Sequence, residues 1–278
     1  RGLCDWRNME LEVLALLLGM AFFCELVDST LGMGYGTTLT PVLLFMGYEP
    51  VQVVPAILLS ELITGGFAAF AHHGAGNAFF DFRNDREHQI VKKMGKLGYL
   101  PRSQDSRIAF ILGLCSLVGA VGAAVFAVNL KSILKPLIGI IVFAMGILIL
   151  VKRRNPGGFS WRKVTGLGIT AAFNKGLSGG GYGPLVTSGQ ILSGVQGKSA
   201  IAITSMAESF TCLVGVLTYS IMGTSVNWSI APPLIVGAVA SVPLSAVLVK
   251  KINTDKFTVI IGAATTALGL LTLCKAFF

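Results

Sequence analysis

The chain has 278 residues, of which 53% are hydrophobic and 13% charged, and its mean hydropathy is +0.74. Several uncharged runs are long enough to cross about 30 Å of hydrocarbon, for which roughly 20 helical residues are needed, so the composition predicts a multispanning helical membrane protein and excludes a sizeable soluble domain. The net charge of +9 fits basic loops on one side of a membrane, and the basic residues lack the interleaved aromatics of a nucleic-acid surface, so we expect no nucleic-acid partner.

Each half of the chain is predicted to contain five helical segments, A to E, in the same order. The first half starts with segment A at 11–30 and, after a glycine-rich break, the short segment B at 36–47. The second half starts with A at 161–176 and B at 183–194. A polar loop at 72–107 separates segments C and D of the first half. The long predicted spans are 51–70, 108–128, 133–151, 200–221, 230–249 and 257–278.

A repeat at an offset of 147 residues relates the two halves. Between 32–64 and 179–211 the identical pairs are Gly32/Gly179, Gly34/Gly181, Tyr35/Tyr182, Gly36/Gly183, Thr40/Thr187, Gly47/Gly194, Glu61/Glu208 and Thr64/Thr211. Each copy contains a glycine-rich break, a very short apolar stretch and a helix with one carboxylate. This pattern is typical of transporters that bind substrate near the bilayer midplane. We predict two transmembrane repeats, 1–153 and 157–278.

The basic residues predict how the repeats are oriented, because cytoplasmic loops are enriched in Lys and Arg. Most of them fall in three loops, 72–107, 152–163 and 250–256. All three loops face the cytoplasm only if each repeat crosses the membrane an odd number of times. The repeats should then be inverted relative to each other, with the two glycine breaks entering from opposite faces and meeting inside the protein. Whether segments A and B cross or re-enter stays open.

The two glycine breaks are the predicted substrate site. Segment B is too short to cross the membrane alone, so its first turn should lie within the bilayer. Exposed N–H groups at a helix start attract anions, and nearby hydroxyl, amide and ammonium groups could complete the site; the alternative is that these small residues only let helices pack closely. The candidate substrate-binding residues are Gly34, Tyr35, Gly36, Thr37, Thr38, Thr40, Lys175, Gly180, Gly181, Tyr182, Gly183, Thr187, Ser188 and Gln190.

Two acidic residues, Glu61 and Glu208, fall near the middle of their helices. A charge there costs about 2.5 to 3.5 kcal/mol on insertion scales, which indicates a role in coupling or gating through reversible protonation; the alternative is a neutral glutamic acid that fastens two helices. The other acids lie near the ends of their segments and are expected at the membrane interface. The two histidines lie at the end of a predicted span and are expected in a solvated position at the interface. These residues are Glu12, Glu25, Asp28, Glu49, His72 and His73.

Other functional classes fit the sequence less well. The GYG triplets invite comparison with potassium filters, but the first copy reads GMGYG and no pore helix plainly precedes it. No nucleophile with a base, metal cluster, P-loop or cofactor motif has a recognisable spacing, so we expect no enzyme activity, metal or cofactor. A homodimer is plausible through small residues that would serve internal packing equally well. These are Gly113, Gly119, Gly122 and Ala123.

The two glycine-rich breaks, within 32–61 and 173–208 of a basic chain of this length, resemble those of the TauE/SafE sulfite exporter family, also called the toluene sulfonate uptake permease family. The resemblance covers essentially the whole chain. It implies a bacterial inner-membrane carrier of small sulfur-containing anions such as sulfite, thiosulfate or organosulfonates, which often exports sulfite. Our own hypothesis for the mechanism is alternating access, in which the two repeats rock around an anion held by both glycine breaks. An uptake permease for an organosulfonate, thiosulfate or another small anion is the alternative.

Overall fold

The computed structural model describes residues 11–83, 89, 99–129, 131–151, 160–249, 259, 263, 266–267 and 269–274. These residues are helical apart from turns, loops and one antiparallel pair of two-residue strands, β1 and β2, in which Phe82 pairs with Pro101 and Arg83 with Leu100. The elements in chain order are α1 (Leu11–Leu31), α2 (Tyr35–Phe45), α3 (Pro50–Gly74), β1 (Phe82–Arg83), β2 (Leu100–Pro101), α4 (Gln104–Asn129), α5 (Lys131–Val151), α6 (Trp161–Ser178), α7 (Tyr182–Leu192), α8 (Gly197–Ile221) and α9 (Ala231–Leu248).

The predicted all-helical membrane fold is confirmed. Within the described residues four helices, α3, α4, α8 and α9, are long and apolar enough to cross a membrane, and the apolar part of α5 is shorter. The polar loop predicted for 72–107 is shorter than expected, because α3 continues to Gly74 and α4 already begins at Gln104. The predicted span 257–278 falls largely outside the described residues, as do the basic residues 152–154 and 250–256.

The short helices α2 and α7 each form a hairpin with the helix before them. Helix α2 packs on α1, and the N–H of Tyr35 at its start donates to Asp28 of α1. Leu17 of α1 belongs to the same core cluster as Leu39 and Leu43 of α2, as expected if α2 runs back along α1. In the second half, Asn174 of α6 lies beside Gly181 and Leu167 beside Gly189, which makes α7 antiparallel to α6. With 11 residues each, the short helices extend for only about 16 Å. The α1–α2 and α6–α7 hairpins therefore each turn inside the protein, and their second helices run back toward the end of the bundle where α1 or α6 begins.

The long helices pack in a pattern that stays the same when the two halves are exchanged. Helix α1 packs on α9, and α6 packs on α4; α3 packs on α9, and α8 packs on α4; α3 and α8 pack on each other. Along the α3–α8 contact, Leu58 meets Gly215, Ser209 Oγ donates to Leu62 O at 2.8 Å, and Gly65 meets Ser205. The two helices, which the predicted repeat makes equivalent, thus run antiparallel. This arrangement supports the inverted repeats, which stay a prediction together with their boundaries.

Small residues allow the helices to approach closely at these crossings. A Cβ on Gly119 of α4 would overlap the carbonyl oxygen of Ile169 on α6, and Ala123 contacts Gly176 one turn further along. Gly119 and Ala123 therefore serve internal packing, one of the two roles that their spacing allowed. Gly113 lies against Phe210 of α8, and the predicted homodimer stays untested.

Candidate functional site

The structure brings the two glycine breaks into direct contact at the centre of the helix bundle. A Cβ on Gly36 would overlap the carbonyl oxygen of Gly179, and a Cβ on Gly183 would overlap that of Gly32. These contacts are reciprocal at the offset of 147 residues. The first residues of α2 and α7 are thus buried against each other's break, and only glycine leaves room for the two backbones to cross.

The hydroxyl and amide candidates surround this crossing but differ between the halves. Thr187 Oγ1 donates to Gly32 O at 2.9 Å and lies 2.8 Å from Thr204 Oγ1, which also accepts from Gln190 Nε2 at 3.1 Å. The matching Thr40 Oγ1 is buried beside Gly179 and has no hydrogen-bond partner among the described residues. The Thr187 hydroxyl therefore ties α7 to the first break, whereas the matching Thr40 hydroxyl of α2 makes no such hydrogen bond to the second break.

The remaining candidates lie on or beside the two short helices. Tyr35 and Tyr182 are fully buried, and the Tyr35 hydroxyl lies 2.7 Å from Ser60 Oγ. Thr37 Oγ1 donates to Gly34 O at 3.2 Å. The other positions are Thr38, half-buried on α2, Gly180 in the second break, and Ser188 on α7.

A buried cluster of charged groups lies at the level of the crossing. The ammonium of Lys175, 1% exposed, forms ion pairs with Glu61 and with Glu208, the latter with an Nζ–Oε1 distance of 2.7 Å. The carboxylate of Asp28 is close to both glutamates, since one oxygen of each group lies within 4.8 Å of the others. The sequence predicted all of these residues except Asp28 as parts of a site, but it did not predict that one lysine joins the two glutamates.

The expected interfacial positions of Glu25 and Asp28 are wrong. Their exposed fractions are 2% and 8%, and Glu25 accepts hydrogen bonds from Ser29 and from Thr64, the latter at 3.2 Å. The physical reason is that α1 ends at a break inside the protein, so a position near the end of this segment is not near the membrane surface. The signal in the sequence was the offset of 147, which aligns Asp28 with Lys175, an acid with a base.

The acidic groups enclose a cavity of about 10 Å³, which is close to the minimum for one water molecule. Its lining consists of Glu25, Asp28, Glu61, Thr64, Gly65, Ser205 and Glu208. Four carboxyl groups thus line one cavity, and the Lys175 ammonium forms ion pairs with two of them. Because an unpaired buried charge costs several kcal/mol, these carboxyl groups are not all ionised together unless a cation joins them. The Lys175 ammonium already occupies the cation position between Glu61 and Glu208.

The solvated position expected for His72 is also wrong, whereas His73 is exposed as expected. His72 is 0% exposed. Its Nε2 lies 2.8 Å from Ser29 O, and its Nδ1 lies 3.0 Å from Asn77 Nδ2. The amide of Asn77 must donate to Nδ1, so Nε2 carries the proton and donates to Ser29. The hydrogen bond from His72 to Ser29 fastens the end of α3 to α1, one turn from Glu25.

Comparison with known proteins gives two matches. A family model described as "Sulfite exporter TauE/SafE" matches residues 91–272, more than half of the chain. A protein of Bacillus subtilis (strain 168) described as "Probable membrane transporter protein YtnM" is 23% identical over 253 residues, which cover 86% of this chain and 75% of the relative. No solved structure matches. Both descriptions are those of proteins that move solutes across membranes.

Proposed function

Since this chain belongs to the TauE/SafE sulfite exporter family and is a membrane transporter, we propose that it exports sulfite or a related small sulfur-containing anion across a bacterial inner membrane. One observation carries the proposal: a fully buried ammonium, that of Lys175, lies at the level where the two glycine breaks cross. An anion that leaves water for a low-dielectric interior needs a positive partner and hydrogen-bond donors there. Lys175 and the N-terminal turns of the short helices offer both.

Glu61 and Glu208 act as the gate in this proposal, because they hold the Lys175 ammonium while no anion is bound. An arriving anion competes with these carboxylates for the same positive charge. Protonation of a carboxylate releases Lys175, so anion binding is linked to the uptake of a proton. In this proposal the two glutamates couple transport to protons, because the anion replaces them as the partner of Lys175 when a carboxylate takes up a proton.

Transport requires the two hairpins to move apart. The cavity beside the cluster has room for about one water molecule, which is less than a four-atom oxyanion needs. The glycine contacts between the breaks close the path in the conformation described above. Alternating access would open one hairpin at a time toward its own side of the membrane, with the anion held at Lys175 between the two movements.

The membrane potential drives export in this scheme. With the cell interior negative, moving one negative charge outward yields about 2.3 kcal/mol per 100 mV. A dianion accompanied by one proton still moves one negative charge outward. Export therefore needs no nucleotide hydrolysis.

A second candidate is proton-linked uptake of an organosulfonate, thiosulfate or another small anion. The observation that favours it is the surplus of carboxyl groups, Glu25 and Asp28 in addition to the two glutamates that contact Lys175. If these groups carry as many protons as the anion has charges, the inward proton gradient drives uptake. Measuring the flux in both directions separates the two candidates.

The proposal predicts a flux that depends on pH. In proteoliposomes the wild-type flux of thiosulfate, which stays a dianion across the range, should be severalfold higher at pH 6 than at pH 8, because an ionised Glu61 carboxylate retains Lys175. The sign follows from the exchange: protonated carboxyl groups release the ammonium, and their deprotonation recaptures it. The double variant Glu61→Gln/Glu208→Gln should vary less than about twofold over the same range.

A variant of an exposed acid, Glu12→Gln on α1, serves as the control and should keep the wild-type profile. An unchanged pH profile in the double variant would show that the two glutamates only fasten α3 and α8 to Lys175. Folded protein that moves neither sulfite, thiosulfate nor an organosulfonate at any pH would contradict the proposed function itself.

A further inference from the structure

We propose that the anion binds at only one of the two glycine breaks, the start of α7, and that Asp28 of the protein itself occupies the start of α2. This inference rests on the proposed function and specifies its binding site. The two breaks have glycines at three matching positions, Gly32/Gly179, Gly34/Gly181 and Gly36/Gly183. Among the side chains that precede them, two exchanges at the offset of 147 residues, Val27 for Asn174 and Asp28 for Lys175, decide which break is open to an anion.

The start of α2 already has a carboxylate bound to it. The backbone N–H of Tyr35, the first residue of the helix, donates to Asp28 Oδ1 at 3.1 Å. A carboxylate in this position satisfies an N–H group that has no partner within the helix and interacts favourably with the helix dipole. An external anion would have to displace Asp28 and would meet its negative charge.

The start of α7 has no such internal anion. At the offset of 147 residues, Lys175 stands where the first half has Asp28, and Asn174 stands where it has Val27. The N-cap residue of α7 is Gly181, which has no side chain to cap the helix, and within the described part of the chain no carboxylate accepts a hydrogen bond from Tyr182, the residue that matches Tyr35. A positive charge and an amide thus replace a negative charge and an apolar side chain.

Asn174 is the second, independent sign of a ligand at this helix start. The side chain is 6% exposed, and neither of its amide atoms has a hydrogen-bond partner among the described residues. Its Nδ2 lies so close to the break that a Cβ on Gly181 would overlap it. Because nearly all buried polar groups in proteins are hydrogen-bonded, an unpartnered amide beside an uncapped helix start indicates a group that binds there.

The donors at this position define the class of ligand. They are the Asn174 amide and the N–H groups of the first turn of α7, which favour a small oxyanion, and the Lys175 ammonium, paired with Glu61 and Glu208, follows Asn174 on α6. The Gly180 N–H is not among them, since Ser178 Oγ accepts from it at 3.2 Å. The ligand is therefore an oxyanion small enough to fit between Asn174 and the first turn of α7.

The test compares two reciprocal variants, Asn174→Val and Val27→Asn, in proteoliposome flux measurements with sulfite and thiosulfate. The first variant gives the second break the side chain of the first and should raise KM about tenfold to a hundredfold, with a smaller change in kcat. The reverse variant should change KM less than about twofold. Asn174→Ser, which keeps a smaller donor, should lie between Asn174→Val and wild type.

Each outcome decides the inference. A wild-type KM in Asn174→Val, or equal increases in both reciprocal variants, would overturn the one-sided site while leaving anion transport in place. Thermal unfolding in detergent identifies a variant that fails to fold, and Asn174→Ser then supplies the comparison. Absence of flux in the folded wild-type protein would contradict the proposed function rather than this inference.

Discussion

Replacing Lys175 by methionine should abolish anion flux and destabilise the protein by about 3 to 5 kcal/mol, the cost of removing one partner of a buried ion pair. The ammonium is 1% exposed and contacts Glu61 and Glu208, so its loss leaves two buried carboxylates without a cation. The measurement is thermal unfolding of the purified variant, followed by sulfite flux in proteoliposomes.

A triple variant separates the role of Lys175 in folding from its role in transport. Replacing a whole buried ion cluster by well-packed hydrophobic residues of similar volume is often neutral or stabilising, so Lys175→Met/Glu61→Met/Glu208→Met should regain most of the lost stability. It should still carry no sulfite, since the positive partner of the anion is missing. Recovery of flux in the triple variant would mean that Lys175 only holds the helices together.

Alanine at the crossing of the breaks should have the second largest effect. In Gly36→Ala and Gly183→Ala the new methyl group would overlap a backbone carbonyl of the opposite break, and a backbone cannot move aside as a side chain can. Overpacking of a core typically costs 1 to 3 kcal/mol, and more where nothing yields. We expect each variant to lose flux and to yield little folded protein in detergent.

Helical glycines in open space provide the controls for this experiment. A Cβ on Gly19 of α1 or on Gly166 of α6 would meet no atom within 4 Å apart from the adjoining backbone of its own helix. Because alanine is favoured over glycine in a helix by up to about 1 kcal/mol, Gly19→Ala and Gly166→Ala should be as stable as wild type or slightly more so. A Gly36→Ala protein with wild-type stability and flux would show that the two breaks do not cross in close contact.

The helices were predictable because their signals are local. Segment A was predicted at 11–30, and α1 covers Leu11–Leu31; segment B was predicted at 183–194, and α7 covers Tyr182–Leu192. The recurrence of one glutamate per half also indicated that Glu61 and Glu208 share a role. Apolar runs, glycine spacing and repeats are all properties of the sequence itself, which explains these agreements.

The contacts of the charged groups could not be predicted in the same way. Lys175 is far along the chain from Glu61, and only the packing of α6 against α3 and α8 brings the three groups together. Glu25 and Asp28 were misplaced for a related reason, since distance from the end of a helix is a poor measure of depth when the helix ends inside the protein. The sequence shows that Asp28 and Lys175 occupy matching positions before the two breaks, but the contacts that make this difference important, those of Asp28 and Asn174, are known only from the structure.

The most direct test of anion transport through this site is sulfite flux in liposomes that contain the purified protein, with the membrane potential clamped to either sign. A potential that is negative inside should accelerate sulfite efflux and slow sulfite entry, with no accompanying flux of potassium or sodium. Cation flux without sulfite flux would contradict the account, because the four carboxyl groups of the cluster would then serve a cation pathway and Lys175 would not be the partner of an anion.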